Sequence, residues 1–304
     1  MANTVRETIK EITRNHLTTG KGRCYGQCLT AVGWVGGTLP ELYEEDGMVE
    51  LSMADVAGGS IVTGIALAGG RPIYVVRYQG FQWYNAASIV NYAAKSKEIW
   101  GRPCPVLVRS IAMEGGIGPV AGSSHHSLYH RMPGIKVAAP MTPNEYQLIY
   151  DSYMEDDDPY YISEHRKSYD NSEELENVIN PSIVDFTIFP ISITRLEMKK
   201  LLELAKEENI TLNVVHQLWI KPFNIPVSWK LALKNSQYGG LVTDDDYVEG
   251  TASSIANELS NETGKVVRTL GLDPITAGFH PTVDNLPPTA EKIINKLKII
   301  KNGI

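Results

Sequence analysis

The chain has little cysteine and no excess of basic residues. Its 304 residues include three cysteines, Cys24, Cys28 and Cys104, an odd and sparse set that fits a reducing compartment better than a disulfide framework. Acidic residues number 35 against 28 lysines and arginines, which gives a net charge of −7. Because nucleic-acid binding requires a basic surface, we expect no nucleic-acid partner.

Long apolar runs are also missing from the sequence. The longest segment of small apolar residues, 56–70, is glycine-rich and shorter than the roughly 20 residues that span a bilayer. The segment 1–17 is amphipathic and charged, without the apolar centre of a signal peptide. We therefore expect a cytoplasmic protein that does not associate with membranes.

Strand-like and helix-like patterns alternate through most of the chain. In the first half, strands are predicted at 71–78, 105–111, 135–139 and 159–164, and helices at 4–17, 57–69, 81–99 and 143–154. In the second half, strands are predicted at 185–193, 210–218, 240–244 and 265–271, and helices at 196–208, 227–235, 250–261 and 287–299. Such alternation predicts an α/β fold in which parallel sheets carry helices on both faces.

A polar stretch interrupts this alternation near the middle of the chain. The segment 168–181 is rich in Asp, Glu, Asn and Ser and poor in large apolar residues, as linkers are. We predict two doubly wound domains, at 1–168 and 184–304, joined by a linker at 169–183.

The segment 50–95 carries the most informative pattern. Asp55 precedes a helix of small residues, a strand follows, and an aromatic cluster opens a second helix. With PGIKVAAPMTPNEYQLIY and DDDPYYISEHRKSY downstream, this segment resembles the β subunits of thiamine-diphosphate-dependent 2-oxoacid dehydrogenases and the related transketolases. The resemblance implies a pyrimidine-binding domain followed by a transketolase C-terminal-like domain with a mostly parallel sheet. The segment 1–50 resembles the family least.

The resemblance also implies thiamine diphosphate as the cofactor and a second chain beside this one. Relatives hold the diphosphate and Mg²⁺ with a Gly-Asp-Gly segment that this sequence lacks, so we assign no metal ligand here. An α-type subunit with the diphosphate-binding domain would hold most of the Mg²⁺ ligands. The expected assembly is an α2β2 heterotetramer, with a lipoyl acyltransferase as a further partner.

The resemblance gives Asp55 a catalytic and cofactor-binding role. In the family a glutamate at this place hydrogen-bonds the aminopyrimidine ring and drives cofactor activation; Asp55 is one methylene shorter. Its position alone favours a helix N-cap, because acids are favoured at helix starts. Tyr78 and Phe81 stand where relatives place aromatics against the ring, although core packing explains aromatics at a strand end as well.

A histidine from the loop 115–134 is expected to face the substrate. Both His125 and His126 match family patterns, and histidine exchanges protons near neutral pH. The alternative is a surface loop with solvated histidines. His165, Arg166 and Lys167 end the last strand of the first domain, where they either bind an anionic group or form a structural or interface cluster.

These observations lead to one main functional prediction and two alternatives. The main one is a β-type subunit that supplies the aminopyrimidine half of the cofactor site for 2-oxoacid decarboxylation and acyl transfer. The first alternative is the C-terminal subunit of a split transketolase, which moves a ketol unit between sugars. The second is a catalytically degenerate subunit with a structural or regulatory role.

Overall fold

A computed structural model of the chain describes residues 3–20, 22–113, 122–277 and 285–303. Part of the predicted histidine loop, 115–121, lies outside these residues. The described residues form two compact units, one within 3–113 and 124–174 and the other comprising 122–123 and 175–303. In this part of the chain, none of the helices has both the length and the apolar character needed to cross a membrane.

The first unit alternates short strands with helices. Its strands are β1 (Arg23–Gly26), β2 (Met48–Glu50), β3 (Pro72–Val76), β4 (Leu107–Ala112), β5 (Lys136–Ala138) and β6 (Tyr160–His165). Its helices are α1 (Val5–Thr18), α2 (Ala31–Gly37), α3 (Asp55–Leu67), α4 (Gln82–Ser88), α5 (Ala94–Trp100), α6 (Ser127–His130) and α7 (Pro143–Glu155). A π-helical turn, Ile89–Ala93, joins α4 to α5.

The sheet of the first unit is parallel and buried. Its strand order is β2-β1-β3-β4-β6-β5. Every residue of β3, β4 and β6 is buried, as expected for strands covered on both faces. Because the strands run in one direction, the residues that follow β1, β3, β4 and β6 meet at the same edge, where α/β folds bind ligands.

Local sequence signals explain how two helices of this unit begin and pack. Pro143 opens α7, and the Thr142 side chain accepts a hydrogen bond from the Glu145 backbone N–H, so the helix starts where the sequence predicted. Glycine at position 59 allows α3 to pack closely on α4, because a Cβ there would collide with the backbone oxygen of Asn85.

The second unit has a smaller parallel sheet with the order β11-β10-β7-β8. The strands of this unit are β7 (Phe186–Pro190), β8 (Leu212–Val214), β9 (Trp219–Lys221), β10 (Gly240–Tyr247) and β11 (Val267–Leu272), of which β9 lies outside this sheet. Its helices are α8 (Met198–Glu207), α9 (Val227–Lys234), α10 (Thr251–Thr263) and α11 (Ala290–Lys301). Apolar side chains from α8 and α11 pack on β7 and β8 to form a buried core.

The predicted α/β fold with two parallel-sheet units is confirmed. The proposed domain limits and the linker at 169–183 stay predictions. Within that stretch, Val178 forms an isolated antiparallel bridge with Val214 at the end of β8. The strand β1 and the helix α2 were not predicted, and they lie in the segment 1–50, which resembles the family least.

Candidate functional site

A cavity of about 170 Å³ opens at the carboxyl edge of the first sheet. The residues that line it come from the ends of β1 and β3 and from the first turns of α3 and α4; they are Gln27, Cys28, Met53, Asp55, Tyr74, Val75, Val76, Arg77, Tyr78, Phe81 and Asn85. The cavity thus combines one carboxylate, two side-chain amides and several aromatic rings at the edge where ligands bind in this class of fold.

Asp55 is the acid of this cavity and the first residue of α3. Ala54 occupies the N-cap position and Asp55 follows it, so the capping alternative does not describe this residue. Gln27 Nε2 donates to Oδ1 of Asp55 at 3.2 Å, and Asn85 Nδ2 approaches the same oxygen at 3.4 Å. In the described part of the chain, no hydrogen bond reaches Oδ2, which leaves one carboxylate oxygen available to a ligand.

A buried tyrosine sets the orientation of Asn85. The Tyr74 hydroxyl donates to Oδ1 of Asn85, which turns the amide nitrogen toward Asp55 and the backbone oxygen of Phe81, at 3.1 Å. Burial, with a smaller contribution from the nearby Asp55 charge, raises the pKa of Tyr74 well above its ordinary value. The hydroxyl therefore stays protonated and keeps its role as a donor.

Tyr78 and Phe81 form an aromatic wall of the same cavity. Their ring centres lie 5.8 Å apart with planes inclined by 45°. Both rings are partly exposed rather than enclosed in the core. The structure therefore brings together three of the residues singled out from the sequence: Asp55, Tyr78 and Phe81.

His125 and His126 do not line this cavity. His126 is fully buried, with Nδ1 at 3.1 Å from Oγ of Ser163. His125 is partly exposed, and the centres of its ring and the Trp83 ring lie 5.8 Å apart in an edge-to-face arrangement. Its backbone N–H donates to Gln79 Oε1 at 2.6 Å. The two adjacent histidines thus have different surroundings, and the one with more access to solvent is His125.

The strand end formed by Glu164 to Lys167 divides into buried and exposed parts. Glu164 is buried and accepts two hydrogen bonds from Arg109, at 2.6 and 3.1 Å, and one from the Tyr169 hydroxyl at 2.8 Å. His165 is also buried, whereas Arg166 and Lys167 are exposed. Glu164 therefore serves as a structural ion-pair partner, and the exposed Arg166 is accessible to a ligand.

Two polar residues of the cavity, Gln27 and Asn85, were not predicted as site residues. Asn85 lies four residues after Phe81, one helical turn further along the same face, and this spacing was a usable signal. Gln27 follows β1, whose four residues carry too short a pattern to mark a strand end. The pairing of β1 with β2 sets Gly26 opposite Glu50, and this brings Gln27 close to Asp55.

Comparison with known proteins identifies the class of domain that holds this site. Residues 30–171 match the family model described as "Transketolase, pyrimidine binding domain". The matched segment includes Asp55, Tyr78, Phe81 and Asn85. The resemblance inferred from the sequence is therefore confirmed over this segment of the chain.

Two of the curated relatives are β subunits of 2-oxoacid dehydrogenases. The chain is 28% identical to 2-oxoisovalerate dehydrogenase subunit beta of Bacillus subtilis, over 43% of this chain and 41% of the relative. It is also 28% identical to pyruvate dehydrogenase E1 component subunit beta of Mycoplasma pneumoniae, over 48% of this chain and 46% of the relative. The chain thus matches less than half the length of these relatives.

A solved structure resembles the chain over nearly its whole length. It is described as "Split gene transketolase, inactive beta4 tetramer", and it aligns with a TM-score of 0.74 over 99% of both chains. Sequence identity is 14%, so this likeness shows the fold alone.

Proposed function

We propose that this chain is a β-type subunit of a heteromeric thiamine-diphosphate-dependent enzyme. It would supply the aminopyrimidine half of the cofactor site for decarboxylation of a 2-oxoacid and transfer of the acyl unit. The observation that carries the proposal is that Asp55, Tyr78 and Phe81 line one cavity at the carboxyl edge of a parallel sheet.

The residues of the cavity suit an aminopyrimidine ring. Tyr78 and Phe81 offer aromatic surface against which a flat heterocycle packs. Asp55 offers a carboxylate oxygen that is not used by described donors, to accept a hydrogen bond from a ring nitrogen. When bound, thiamine diphosphate supplies the nucleophilic carbon and the electron sink for cleavage next to a carbonyl.

The chain's own residues hold and orient the acid. Gln27 and Asn85 both donate to Oδ1 of Asp55, which fixes the direction of the carboxylate. Tyr74 in turn orients Asn85. Since aspartate is one methylene shorter than glutamate, this supporting set determines how closely the carboxylate approaches the ring.

The diphosphate and Mg²⁺ are assigned to a partner. Mg²⁺ requires near-octahedral coordination by oxygen atoms, commonly carboxylates together with phosphate oxygens and water. The cavity lining includes one carboxylate, Asp55, and the cationic Arg77, which is a poor environment for a second cation. We therefore assign metal binding to an α-type subunit within an α2β2 assembly, with a lipoyl acyltransferase as the acyl acceptor.

An exposed apolar surface beside the cavity supports the need for that partner. Val56 and Tyr84 have 61% and 59% of their surface exposed, and Ile61 and Trp83 are also exposed on α3 and α4. Asp55, Val56 and Tyr84 also line an open cleft of about 510 Å³. Clustered exposed apolar side chains next to a ligand cavity are typical of a protein interface.

A split transketolase is the second candidate. The observation behind it is the fold that this chain shares with a split-gene transketolase, across residues of both units. The two candidates share the cofactor site and differ in substrate, so they predict the same partner and different turnover.

The test is co-expression with chains of similar size that contain a Gly-Asp-Gly segment. We expect one of them to co-purify, the complex to bind thiamine diphosphate with Mg²⁺ in calorimetry, and turnover with 2-oxoacids rather than with ketose phosphates. Val56→Glu should weaken the complex, whereas Ile299→Glu, at a residue 47% exposed on α11, should not. Turnover with ketose phosphates alone would favour the transketolase. An active single chain would rule out both, and a complex that binds no cofactor would leave the degenerate subunit.

A further inference from the structure

A second, smaller cavity adjoins the first one. It has a volume of about 30 Å³ and shares Arg77 and Tyr78 with the cavity that holds Asp55. Arg166, Met113 and Gly36 are among the other residues that line it. The smaller cavity is therefore a side pocket of the proposed cofactor site, with two arginines in its wall.

Sheet topology explains why the two arginines line the same pocket. Arg77 is the first residue after β3, Met113 the first after β4 and Arg166 the first after β6. The strands β3, β4 and β6 are consecutive neighbours in a parallel sheet, so their carboxyl ends lie side by side. This is the edge at which open α/β sheets bind their ligands.

Neither guanidinium group is neutralised in the described part of the chain. The guanidinium carbon of Arg77 lies 5.7 Å from the centre of the Tyr78 ring, and Nη1 of Arg166 lies 3.5 Å from Sδ of Met113. By contrast, Arg109 pairs with buried Glu164, and Arg6 pairs with Asp170. Two uncompensated cations in one pocket repel each other, and an anion between them would relieve that repulsion.

Part of the pocket lining is held in an uncommon backbone conformation. Val35 has a φ of +52°, and the preceding Trp34 has a φ of +51°. A positive φ in a β-branched residue costs free energy, and such residues concentrate at ligand sites. Val35 and Gly36 line the same pocket as the two arginines.

We propose that Arg77 and Arg166 bind a carboxylate group of the substrate. This inference rests on the proposed function, since it places the anion beside the cofactor cavity. A pocket of about 30 Å³ has room for roughly two water molecules, which is enough for the two oxygens of a carboxylate. Arginine's planar array of donors matches the two oxygens of a carboxylate.

The test measures anion binding without the cofactor. The full chain, or its complex with the partner, is labelled with ¹⁵N-arginine and titrated with pyruvate and, separately, with inorganic phosphate at low salt. We expect pyruvate to shift two guanidinium signals and to bind more tightly than phosphate. Arg77→Gln and Arg166→Gln should each weaken pyruvate binding roughly tenfold, as loss of a charge-assisted hydrogen bond predicts.

Arg14→Gln is the matched control, because Arg14 is an exposed arginine on α1, away from both cavities. Unchanged pyruvate affinity in both pocket variants would overturn the proposal, and tighter binding of phosphate would overturn its assignment to a carboxylate. Thermal unfolding checks that each variant folds. Thiamine diphosphate is absent from this titration, so its outcome does not depend on cofactor binding. Failure of the cofactor proposal would instead appear in the calorimetric titration with thiamine diphosphate.

Discussion

Gln27 donates a hydrogen bond from its side-chain amide to Oδ1 of Asp55 across 3.2 Å. The contact joins the residue after β1 to the first residue of α3, elements that lie far apart in the sequence. Together with Asn85, Gln27 places two donors on one oxygen of the carboxylate and leaves the other for a ligand. The direction of the acid is therefore a property of the folded unit.

Removal of the Gln27 amide should weaken cofactor binding without unfolding the chain. In Gln27→Ala, Asp55 loses one donor and part of its orientation, at a cost of about 1 kcal/mol, or roughly fivefold in affinity. Calorimetric titration of the assembled complex with thiamine diphosphate measures this loss. Gln237→Ala, at an exposed glutamine of the second unit, should bind as the unaltered protein does; equal affinity in both variants would show that Gln27 does not support the site.

Close packing of α3 on α4 should depend on Gly59. Gly59→Ala would force the helices apart, because the added Cβ collides with the backbone oxygen of Asn85. We expect a destabilisation of about 1–3 kcal/mol, the usual range for overpacking, together with weaker cofactor binding. Urea unfolding measures the first effect and calorimetry the second.

Gly64→Ala provides the control on the same helix. A Cβ at Gly64 meets nothing within 4 Å, so alanine should stabilise the helix by about 0.5–1 kcal/mol. If both alanine variants had the same stability, the packing of α3 would not depend on the glycine at position 59.

His216 should make the second unit less stable in acid. Burial, and secondarily the charge of Arg195, lowers the pKa of His216 from 6.5 to about 3 in the folded chain. The unfolded chain takes up a proton below about pH 6.5, whereas the folded chain does not until near pH 3. Stability therefore falls as pH falls through this window, by about 2 kcal/mol between pH 7 and pH 5 from this residue alone.

The comparison of His216→Asn with the unaltered chain isolates that contribution. Carboxylates also titrate in acid, so the informative quantity is the difference in the slope of unfolding free energy against pH between the two proteins. A shallower slope for the variant between pH 6.5 and 5 is expected. Identical slopes would mean that His216 is protonated in the folded state.

The sequence predicted the parts of the fold that carry strong periodic patterns. The strand patterns at 71–78 and 159–164 became β3 and β6, and Thr142 with Pro143 marked the start of α7. The strands β1 and β2 span four and three residues, too few to show a period. Their existence depends on pairing with one another and with β3, which is a tertiary effect.

The site was predictable to the extent that single residues resemble family positions. Asp55, Tyr78 and Phe81 were singled out in that way and share a cavity. Gln27 and Asn85 support Asp55, and Arg77 and Arg166 line one pocket. Both arrangements arise when separate strands align their carboxyl ends. A one-dimensional pattern does not contain those distances. The choice between His125 and His126 as the residue that faces the substrate stays a prediction.

The decisive measurement for the catalytic role of Asp55 is the turnover of the assembled, cofactor-saturated complex that carries Asp55→Ala. If Asp55 is the acid that activates the cofactor, we expect 2-oxoacid turnover to fall on the order of 100-fold or more, because a missing acid no longer activates it. Asp55→Glu should retain more activity than Asp55→Ala, and the thermal stability of all three proteins should be similar. Undiminished turnover in Asp55→Ala would show that Asp55 does not activate the cofactor.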